Sequence, residues 1–513
     1  MAEVQDRVRC QALQKKIVTA EEAAAFFQPN MNVACSGFTS SGYPKSVPLS
    51  LAARMTKEPF KINVWTGAST GPEFDTALAQ VNGIAHRMPF QTSPALRERI
   101  NSGDVDFVDI HLSEMAQQAR YGFFGKADVA LIEAAAITEE GNIIPTTSVG
   151  NAASYVQDAD TVIVEINTAV PAEIEGLHDV YVPLDPPNRL PIPIIRPGDR
   201  IGTSFIPCTP EKIKYIVPGG AADTTRSLRP VDELSRRMSE HTLAFFAQEQ
   251  KAGRLPQPLL PLQCGVGNVA NAVVGGFVES DVSQLTVYTE VIQDGMLDLI
   301  DAGKLQMASG TAFSPSPEGL ARFFKDIGKY KKHLVLRPAE IANAPEVIRR
   351  LGVIAMNTAI EADIYGAVNS THIRGTQMMN GIGGSGDFAR NAYLSIFFTP
   401  SVRQDGKISC IVPCCPHVDH PAQDVDILVT EQGVADLRGK SPRERAKEII
   451  EHCAHPDYRP LLRDYFERAD AATGHAHTPQ LLDEAFTVFT RYAQTGTMQS
   501  AAPVAESGQS TRD

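Results

Sequence analysis

Short apolar runs alternate along the chain with longer helix-like segments. The short runs are rich in Val, Ile and Leu, which is typical of strands buried on both faces of a sheet. The strand-like runs occupy residues 62–65, 129–132, 161–164, 285–289, 408–412 and 426–429. The helix-like segments occupy residues 46–55, 230–250, 317–324 and 345–351. This alternation predicts an open α/β fold in which helices pack on mainly parallel sheets.

Proline and glycine divide this pattern into two parts. Residues 183–198 contain six prolines, so they can form neither a central strand nor a helix. Residues 218–223 have the composition of a linker. We therefore predict an N-terminal α/β domain at 1–228, a C-terminal α/β domain at 229–500 and a disordered polar tail at 501–513.

Two local patterns add detail to this division. Ser441, Pro442 and Glu444 have the spacing of a capping box with proline at the first helical position, which predicts a helix start. The tripeptide 132–134 is echoed by residues 360–362, which is a weak indication that the two halves are related.

Composition narrows the class of protein. The chain has 513 residues, 43% hydrophobic and 21% charged, which is ordinary for a globular protein. A net charge of −13 argues against a general nucleic-acid binder, which needs a basic face. No apolar run is long enough to span a membrane, and the charged N-terminal segment does not resemble a secretory signal. Eight scattered cysteines are typical of reduced, buried thiols, so we expect a cytoplasmic protein.

Glu290 follows the strand-like run 285–289, and a glycine turn at Gly265 and Gly267 lies upstream. This pattern allows a dinucleotide site, since Gly265, Gly267 and Ala270 match the G-x-G-x-x-A fingerprint and Glu290 could bind a ribose. It also allows an acyl transferase with Glu290 as nucleophile, or a plain strand-to-helix loop. The preceding segment 256–264 contains three prolines, which argues against the central strand that a dinucleotide site requires.

A second glycine turn lies at residues 380–388 and lacks the Gly-Lys-Ser/Thr ending of a P-loop. Clustered glycines let backbone amides approach an anionic or oxyanionic group. Glu431 also follows a strand-like run, as Glu290 does. Because open α/β sheets bind ligands at the carboxyl ends of their strands, both turns and both glutamates fit a single crevice.

A zinc site is the alternative for one cluster near the C-terminus. Cysteine and histidine are zinc ligands, and five of them fall close together at Cys410, Cys414, Cys415, His417 and His420. However, Cys410 lies within a strand-like run, and the adjacent Cys414 and Cys415 point their side chains apart. We therefore predict no metal site. The pair of histidines could hold a catalytic base, but no nucleophile motif accompanies it.

The sequence resembles the acetyl-CoA hydrolase/transferase family, and within it the succinyl-CoA:acetate CoA-transferases. The resemblance extends to about residue 497 and so covers nearly the whole chain. The matching blocks are residues 36–39, 42–45, 66–72, 265–273, 290–296, 379–390 and 430–433.

The resemblance implies two CoA-transferase-type open α/β domains and a set of site residues. Glu290 matches the family's nucleophile, and Val266 and Gly384 match backbone amides of its oxyanion hole. Ser69, Asn343 and Glu431 match residues that line the acyl and carboxylate pocket. The residues that match coenzyme A contacts are Gly265, Val266, Gly267, Asn268, Val269, Ile360, Asn380 and Gly384. The chain departs from the family at Gln404, where relatives carry a lysine that contacts coenzyme A.

A carboxylate nucleophile suits CoA transfer because its acyl derivatives stay activated, whereas a serine ester would lose the thioester's energy. We therefore predict CoA transfer between a short acyl-CoA and a carboxylic acid, with succinyl-CoA and acetate as the expected pair. Coenzyme A is then both substrate and part of a covalent intermediate, with no tightly bound cofactor. A homodimer that binds neither nucleic acid nor membrane is expected. The alternatives are propionyl-CoA:succinate transfer, acetyl-CoA hydrolysis, an NAD-dependent oxidoreductase and a non-enzymatic acyl-CoA sensor.

Overall fold

The computed structural model describes residues 2–227, 230–265 and 267–499. Each half of the chain contains one large open sheet, as the alternating pattern predicts. The first sheet is built from β1 (Asn32–Cys35), β2 (Ile62–Trp65), β3 (Ile84–Met88), β4 (Asp106–Phe107), β5 (Val129–Ala134), β6 (Thr161–Asn167) and β7 (Ile213–Gly219). The second is built from β8 (Leu262–Cys264), β9 (Leu285–Tyr288), β10 (Leu305–Gly310), β11 (Leu334–Leu336), β12 (Ile354–Thr358), β13 (Leu394–Phe398), β14 (Ile427–Thr430) and β15 (Gly433–Asp436).

The two sheets share one strand order. In the first sheet the order is β4-β3-β2-β1-β5-β6-β7, and every pair is parallel. In the second it is β11-β10-β9-β8-β12-β13-β14-β15, with only the β14–β15 pair antiparallel. The chain reverses its direction of travel beside β1 in one sheet and beside β8 in the other. These reversals are topological switch points, where open α/β sheets bind ligands.

Helices cover the faces of both sheets and bury their apolar strands. The α-helices are Ala2–Arg7, Ala20–Ala24, Ser46–Lys57, Ala77–Gln80, Pro94–Asn101, Leu112–Arg120, Ala152–Asp158, Glu233–Lys251, Asn268–Glu279, Asp294–Asp301, Pro317–Lys325, Ile327–Tyr330, Ala339–Ala342, Pro345–Leu351, Ser385–Asn391, Pro442–His452, Arg459–Ala472 and Thr487–Thr495. The predicted capping box is confirmed, since Ser441 and Glu444 cap the helix that begins at Pro442. No helix within the described ranges is long and apolar enough to cross a membrane.

Short strands form separate small sheets of two or three strands beside the two large ones. They are Ala136–Ile137, Ile143–Ile144, Val291–Ile292, Ala312–Phe313, Glu361–Asp363, Val368–Asn369, His372–Ile373, Gln377–Met378, Val402–Arg403, Ile408–Ser409 and Ile411–Val412. The predicted strand 408–412 is therefore two strands, which pair with different partners. The proline-rich segment 183–198 contains no helix or strand, as predicted.

The expectation that no central strand follows the prolines of segment 256–264 is wrong. β8 lies between β9 and β12 in the middle of the second sheet. The prolines precede the strand instead of interrupting it, and the carbonyl of Pro261 accepts a hydrogen bond from the Ile354 amide at 2.9 Å. The buried Gln263 is satisfied by the neighbouring strand, because its side chain donates to Asn357 and accepts from the Met356 amide. The strand is only three residues long, so it can occupy the middle of the sheet without containing a proline.

Segment 218–223 is also not the free linker that its composition suggests. Pro218 and Gly219 end β7, the edge strand of the first sheet. Asp223 is buried and accepts hydrogen bonds from the Gly42 amide and the Thr147 hydroxyl. The domain boundary predicted at residue 228 and the tail predicted at 501–513 lie outside the described residues, so both stay predictions.

Lys45 holds this segment in place through a buried ion cluster. Its Nζ lies 2.6 Å from Glu133 Oε2 and 2.9 Å from Asp223 Oδ1, and all three side chains are at most 2% exposed. A lysine is tolerated in such a site only because two carboxylates and the Tyr43 carbonyl compensate its lost hydration.

We expect Lys45→Ala to lower the free energy of unfolding by about 3–5 kcal/mol, because it leaves two buried carboxylates without a cation. Lys126→Ala is the matched control, since Lys126 and its partner Asp160 are both 61% exposed. Its cost should be about 0–1 kcal/mol. Urea unfolding of the two variants measures the difference, and equal losses would contradict the role given to the buried cluster.

Candidate active site

The carboxyl edges of the two sheets face each other across a cleft with a volume of about 850 Å³. Loops that follow β1, β2 and β3 form one wall, and loops that follow β8, β9 and β12 form the other. A hydrogen bond of 2.8 Å from the Ser314 hydroxyl to the Thr39 carbonyl joins the two halves beside the cleft. The cleft walls include Phe38, Thr39, Ser69, Phe90, Arg226, Gly265, Glu290, Asn357, Asn380 and Gly384.

Glu290 follows β9 and presents its half-buried side chain to the cleft. Its backbone carbonyl accepts hydrogen bonds from the amides of Thr311 at 2.8 Å and Ala312 at 3.1 Å, which fix the main chain at the strand end. Its Oε1 accepts a hydrogen bond of 2.7 Å from Asn343 Nδ2. Burial raises the pKa of Glu290 to about 7, and the Asn343 hydrogen bond opposes that rise.

Asn343 is fully buried and ends the short helix Ala339–Ala342. Its amide nitrogen bridges two carboxylates, because it also donates to Asp387 Oδ2 at 3.3 Å. Asp387 in turn accepts two hydrogen bonds from Ser113, one from the backbone amide and one from the hydroxyl. The site therefore contains a connected chain of polar groups that runs from the first half of the protein to Glu290.

Gly384 makes room for this arrangement. A β-carbon at this position would lie 1.8 Å from Glu290 Oε1 and 2.1 Å from Asn343 Nδ2, far inside contact distance. Its φ of −99° is ordinary for any residue, so space and not backbone conformation requires glycine here. Gly384 thus permits the closest approach between the second glycine turn and the Glu290 carboxylate.

The structure brings together most of the residues predicted for the site. Ser69 is buried in the opposite wall, and Gly265, Gly267 and Asn380 line the cleft. Gly267 has a φ of +148°, which favours glycine, and it precedes the helix that begins with Asn268 and Val269. Ile360 follows β12, where its amide donates to the Asn369 carbonyl. Val266, predicted as an oxyanion-hole amide, lies outside the described residues.

Glu431 is not brought to the Glu290 side of the cleft. It follows β14, which lies four strand positions from β9 across the sheet. At about 4.8 Å per strand this corresponds to roughly 19 Å. The Glu431 carboxylate accepts hydrogen bonds from the Ser401 amide at 2.9 Å and from Gln432 at 3.0 Å. A role for Glu431 in placing the acceptor acid stays a prediction.

Two residues of the site were missed from the sequence. Asp387 lies within the second glycine turn, but aspartate is common beside glycine in ordinary loops, so its position alone gave no signal. Arg226 lines the cleft three residues beyond the segment 218–223, which resembles a linker, and no local pattern pointed to it. The segment that carries Arg226 is fixed by Asp223 and by Thr224, whose hydroxyl donates to Glu73 at 2.8 Å.

The remaining candidates lie away from Glu290. In the described ranges no group of three or more His, Cys, Asp or Glu side chains could hold a metal ion. All eight cysteines are free thiols, and seven of them are buried. Gln404 is an exposed turn residue whose side chain accepts a hydrogen bond from the Tyr492 hydroxyl at 2.9 Å.

The position of Glu290 predicts a pH dependence. With Glu290 as the predicted nucleophile, only its ionised carboxylate could attack, so kcat/KM is expected to fall as the pH drops through about 7, the pKa of Glu290. Asn343→Ala removes a hydrogen bond that favours the ionised form, so it should raise that pKa and move the acid limb to higher pH. Asn142→Ala, in a hairpin outside the cleft, is the control and should leave the limb unchanged. An unmoved limb in Asn343→Ala would contradict the contact.

Comparison with known proteins shows the family of the chain. The acetyl-CoA hydrolase/transferase N-terminal domain model matches residues 1–218, and the C-terminal domain model matches residues 319–466. The chain is 52% identical to the succinyl-CoA:acetate CoA-transferase of Clostridium kluyveri over 96% of this chain and 92% of the relative. It is 45% identical to the acetyl-CoA hydrolase of Schizosaccharomyces pombe, covering 96% and 98%. It is 43% identical to the propanoyl-CoA:succinate CoA transferase of Escherichia coli, covering 94% and 98%.

The fold is shared with more distant structures. The 4-hydroxybutyrate CoA-transferase of Porphyromonas gingivalis superposes with a TM-score of 0.61 at 21% identity, over 89% of this chain and 98% of that one. This likeness confirms the predicted α/β class with mainly parallel sheets. Together, the two matched domains and the full-length relatives show that the chain belongs to the acetyl-CoA hydrolase/transferase family and is an enzyme that acts on acyl-CoA.

Proposed function

We propose that the protein transfers coenzyme A from succinyl-CoA to acetate through a glutamyl-CoA thioester on Glu290. The observation that carries this proposal is a carboxylate in the cleft wall, held by an amide donor and approached by a glycine turn. The Clostridium kluyveri relative, which is 52% identical, is named for this activity. Family membership also removes the support for a dinucleotide site, whose glycine fingerprint is explained by the same cleft.

The proposed steps require only the acyl-CoA, the acceptor acid and Glu290. A Glu290 oxygen attacks the acyl carbonyl, the carbon–sulfur bond breaks, and the CoA thiolate leaves an acyl-glutamyl anhydride. The thiolate then attacks the glutamyl carbonyl and expels the donor acid as its carboxylate, which leaves glutamyl-CoA. An acceptor carboxylate attacks glutamyl-CoA, and the same two steps in reverse give the new acyl-CoA and free Glu290.

The surrounding residues suit these steps. Each attack passes through a tetrahedral oxyanion, which donors near Glu290 can stabilise. Asn343 is one such donor, and the Gly384 amide is proposed as another. Arg226 supplies a cation on the cleft wall, and it is proposed to bind the distal carboxylate of a succinyl group. Ser69 is proposed to contact the acyl group from the opposite wall.

Transfer and hydrolysis differ in whether water reaches the glutamyl intermediate. Since relatives named as hydrolases are also similar to this chain, the acceptor must be tested directly. We expect thiol release from succinyl-CoA without acetate to be at least about 10²-fold slower than CoA transfer with acetate, with parallel double-reciprocal plots. Equal rates of thiol release with and without acetate would identify a hydrolase.

The intermediate has its own test. Incubation with succinyl-CoA and no acceptor should increase the intact mass by one coenzyme A less one water, and peptide mapping should place the adduct on Glu290. Turnover of propionyl-CoA with succinate tests the second transferase candidate, the activity for which the Escherichia coli relative is named. A cytoplasmic homodimer without a tightly bound cofactor stays a prediction.

A further inference from the structure

Asp387 is the buried carboxylate nearest to the proposed nucleophile that the mechanism does not use. It lies in the helix Ser385–Asn391, three residues after Gly384, and it is 5% exposed. Its two oxygens have different partners. Oδ2 accepts from the Ser113 amide at 3.0 Å and from Asn343 Nδ2 at 3.3 Å, whereas Oδ1 accepts from the Ser113 hydroxyl at 2.5 Å.

The orientation of the Asn343 amide depends on these contacts. Asn343 Nδ2 has two hydrogens, and it directs one to Glu290 and one to Asp387. Asn343 Oδ1 is buried and has no hydrogen-bond partner among the described residues. If the amide were flipped by 180°, that oxygen would face two carboxylate oxygens, and no hydrogen bond would replace those lost. The two carboxylates therefore select a single orientation of the amide.

The contribution of Glu290 to this selection disappears during the proposed reaction. Once Glu290 is an anhydride or a thioester, it carries no charge and is a weaker acceptor. Asp387 is not acylated, so its hydrogen bond persists. It is then the fixed group that keeps Asn343 Nδ2 pointed at the reacting carbonyl, where the oxyanion develops.

We propose that Asp387 is a positioning residue, which keeps the Asn343 amide directed at Glu290 through every step of CoA transfer. The inference rests on the proposed function, because it needs Glu290 as the acylated group. Asp387 acts through Asn343 and does not itself contact the substrate. Ser113, from the first half of the chain, anchors Asp387 and so links the orientation of the donor to the docking of the two halves.

The charge of Asp387 has a second effect, on ionisation. The titratable groups that face Asp387 in the described structure are Glu290, across the Asn343 amide, and His111, whose Nδ1 lies 4.0 Å from Oδ1. Burial and, to a smaller degree, the like charge of Glu290 raise the pKa of Asp387 to about 7, whereas the Ser113 hydrogen bonds and His111 oppose that rise. Repulsion is mutual, so removing the Asp387 charge should lower the pKa of Glu290.

Two substitutions separate these effects. In Asp387→Asn the carbonyl can accept from Ser113 and Asn343, and the amino group can donate to the Ser113 hydroxyl, so every hydrogen bond is kept. Turnover should stay within about fivefold of the wild type, and the acid limb of kcat/KM should move to lower pH. In Asp387→Ala the anchor of Asn343 is lost, and kcat should fall by about 10²-fold, with a smaller change in KM.

A double-mutant cycle on kcat tests whether Asp387 acts through Asn343. The variant Asp387→Ala/Asn343→Ala should be no slower than Asn343→Ala alone. Asp426→Asn is the matched control, because its carboxylate binds the Ser395 amide at the opposite edge of the sheet. It should leave turnover and the acid limb unchanged. Multiplicative losses in the cycle, or wild-type turnover in Asp387→Ala, would overturn the proposal.

A failure of the positioning role of Asp387 can be distinguished from a failure of the proposed function. If the wild type forms no adduct on Glu290 with succinyl-CoA, the proposed function fails. If the wild type forms the adduct and Asp387→Ala forms it at the wild-type rate, only the positioning role fails. Should Asp387→Ala prove unfolded, Asp387→Asn decides the matter, and an acid limb that does not move counts against the inference.

Discussion

Glu290→Ala is expected to abolish CoA transfer and to remove the covalent CoA adduct, while the protein stays folded. The side chain lies in a cleft wall and, among the described residues, hydrogen-bonds to Asn343 alone, so its loss should cost little stability. Without the carboxylate there is no group to accept the acyl chain, and turnover should fall to the limit of detection. The rate of CoA transfer, the intact mass and the thermal unfolding should be measured on the same preparation.

Glu290→Asp is the informative companion variant. It keeps the charge and the chemistry but withdraws the attacking oxygen by about 1 Å or more, and misplacement on this scale can cost roughly 10²-fold. We expect a slow enzyme that still forms an adduct on residue 290. Wild-type turnover in Glu290→Ala, with the fold intact, would show that another residue is the nucleophile.

Gly384→Ala is expected to lower kcat by at least about 10²-fold without unfolding the protein. The added methyl would overlap Glu290 Oε1 at 1.8 Å and Asn343 Nδ2 at 2.1 Å, so the carboxylate or the amide must move. Movement of either group disrupts the hydrogen bond between them and misplaces the attacking oxygen. Because the backbone at Gly384 suits any residue, the loss would come from the site and not from strain.

Gly275→Ala provides the matched control for this substitution. Gly275 is exposed in the helix Asn268–Glu279, and a β-carbon there meets nothing within 4 Å. Turnover should be unchanged, and the helix should gain up to about 1 kcal/mol from the better helix former. If Gly384→Ala behaves like Gly275→Ala, the contact between Gly384 and Glu290 is not required for catalysis.

The sequence predicted the class of fold and one wall of the site. The strands 62–65 and 285–289 were found within a residue, because runs of β-branched residues bounded by turn residues leave few alternatives. Glu290 and Gly384 were identified from strand-end position, glycine clustering and family resemblance. They follow the general rule that ligands bind at the carboxyl ends of parallel strands.

What escaped prediction depends on contacts that are distant along the chain. β8 was judged too rich in proline and glutamine to be central, yet Gln263 is satisfied by Asn357, which is 94 positions away. Arg226 follows the linker-like segment 218–223, and the buried Asp223 of that segment pairs with Lys45. Local composition cannot reveal pairings of this kind, because each partner looks unsuitable until the other is known.

The two sheets face each other across the cleft, so residues of both halves surround the proposed intermediate. Glu290, the proposed nucleophile, follows a strand of one sheet, whereas Ser69, Thr39 and the anchor Ser113 come from the other half. In the proposed reaction, the exclusion of water from the glutamyl intermediate would therefore depend on how tightly the two halves close and not on a single lid. The ratio of thioester hydrolysis to CoA transfer would therefore measure how tightly the halves close. This ratio should respond to loosening that is too slight to change turnover. The first effect of mild denaturant, pressure or a distant substitution between the halves should be the release of free coenzyme A without CoA transfer.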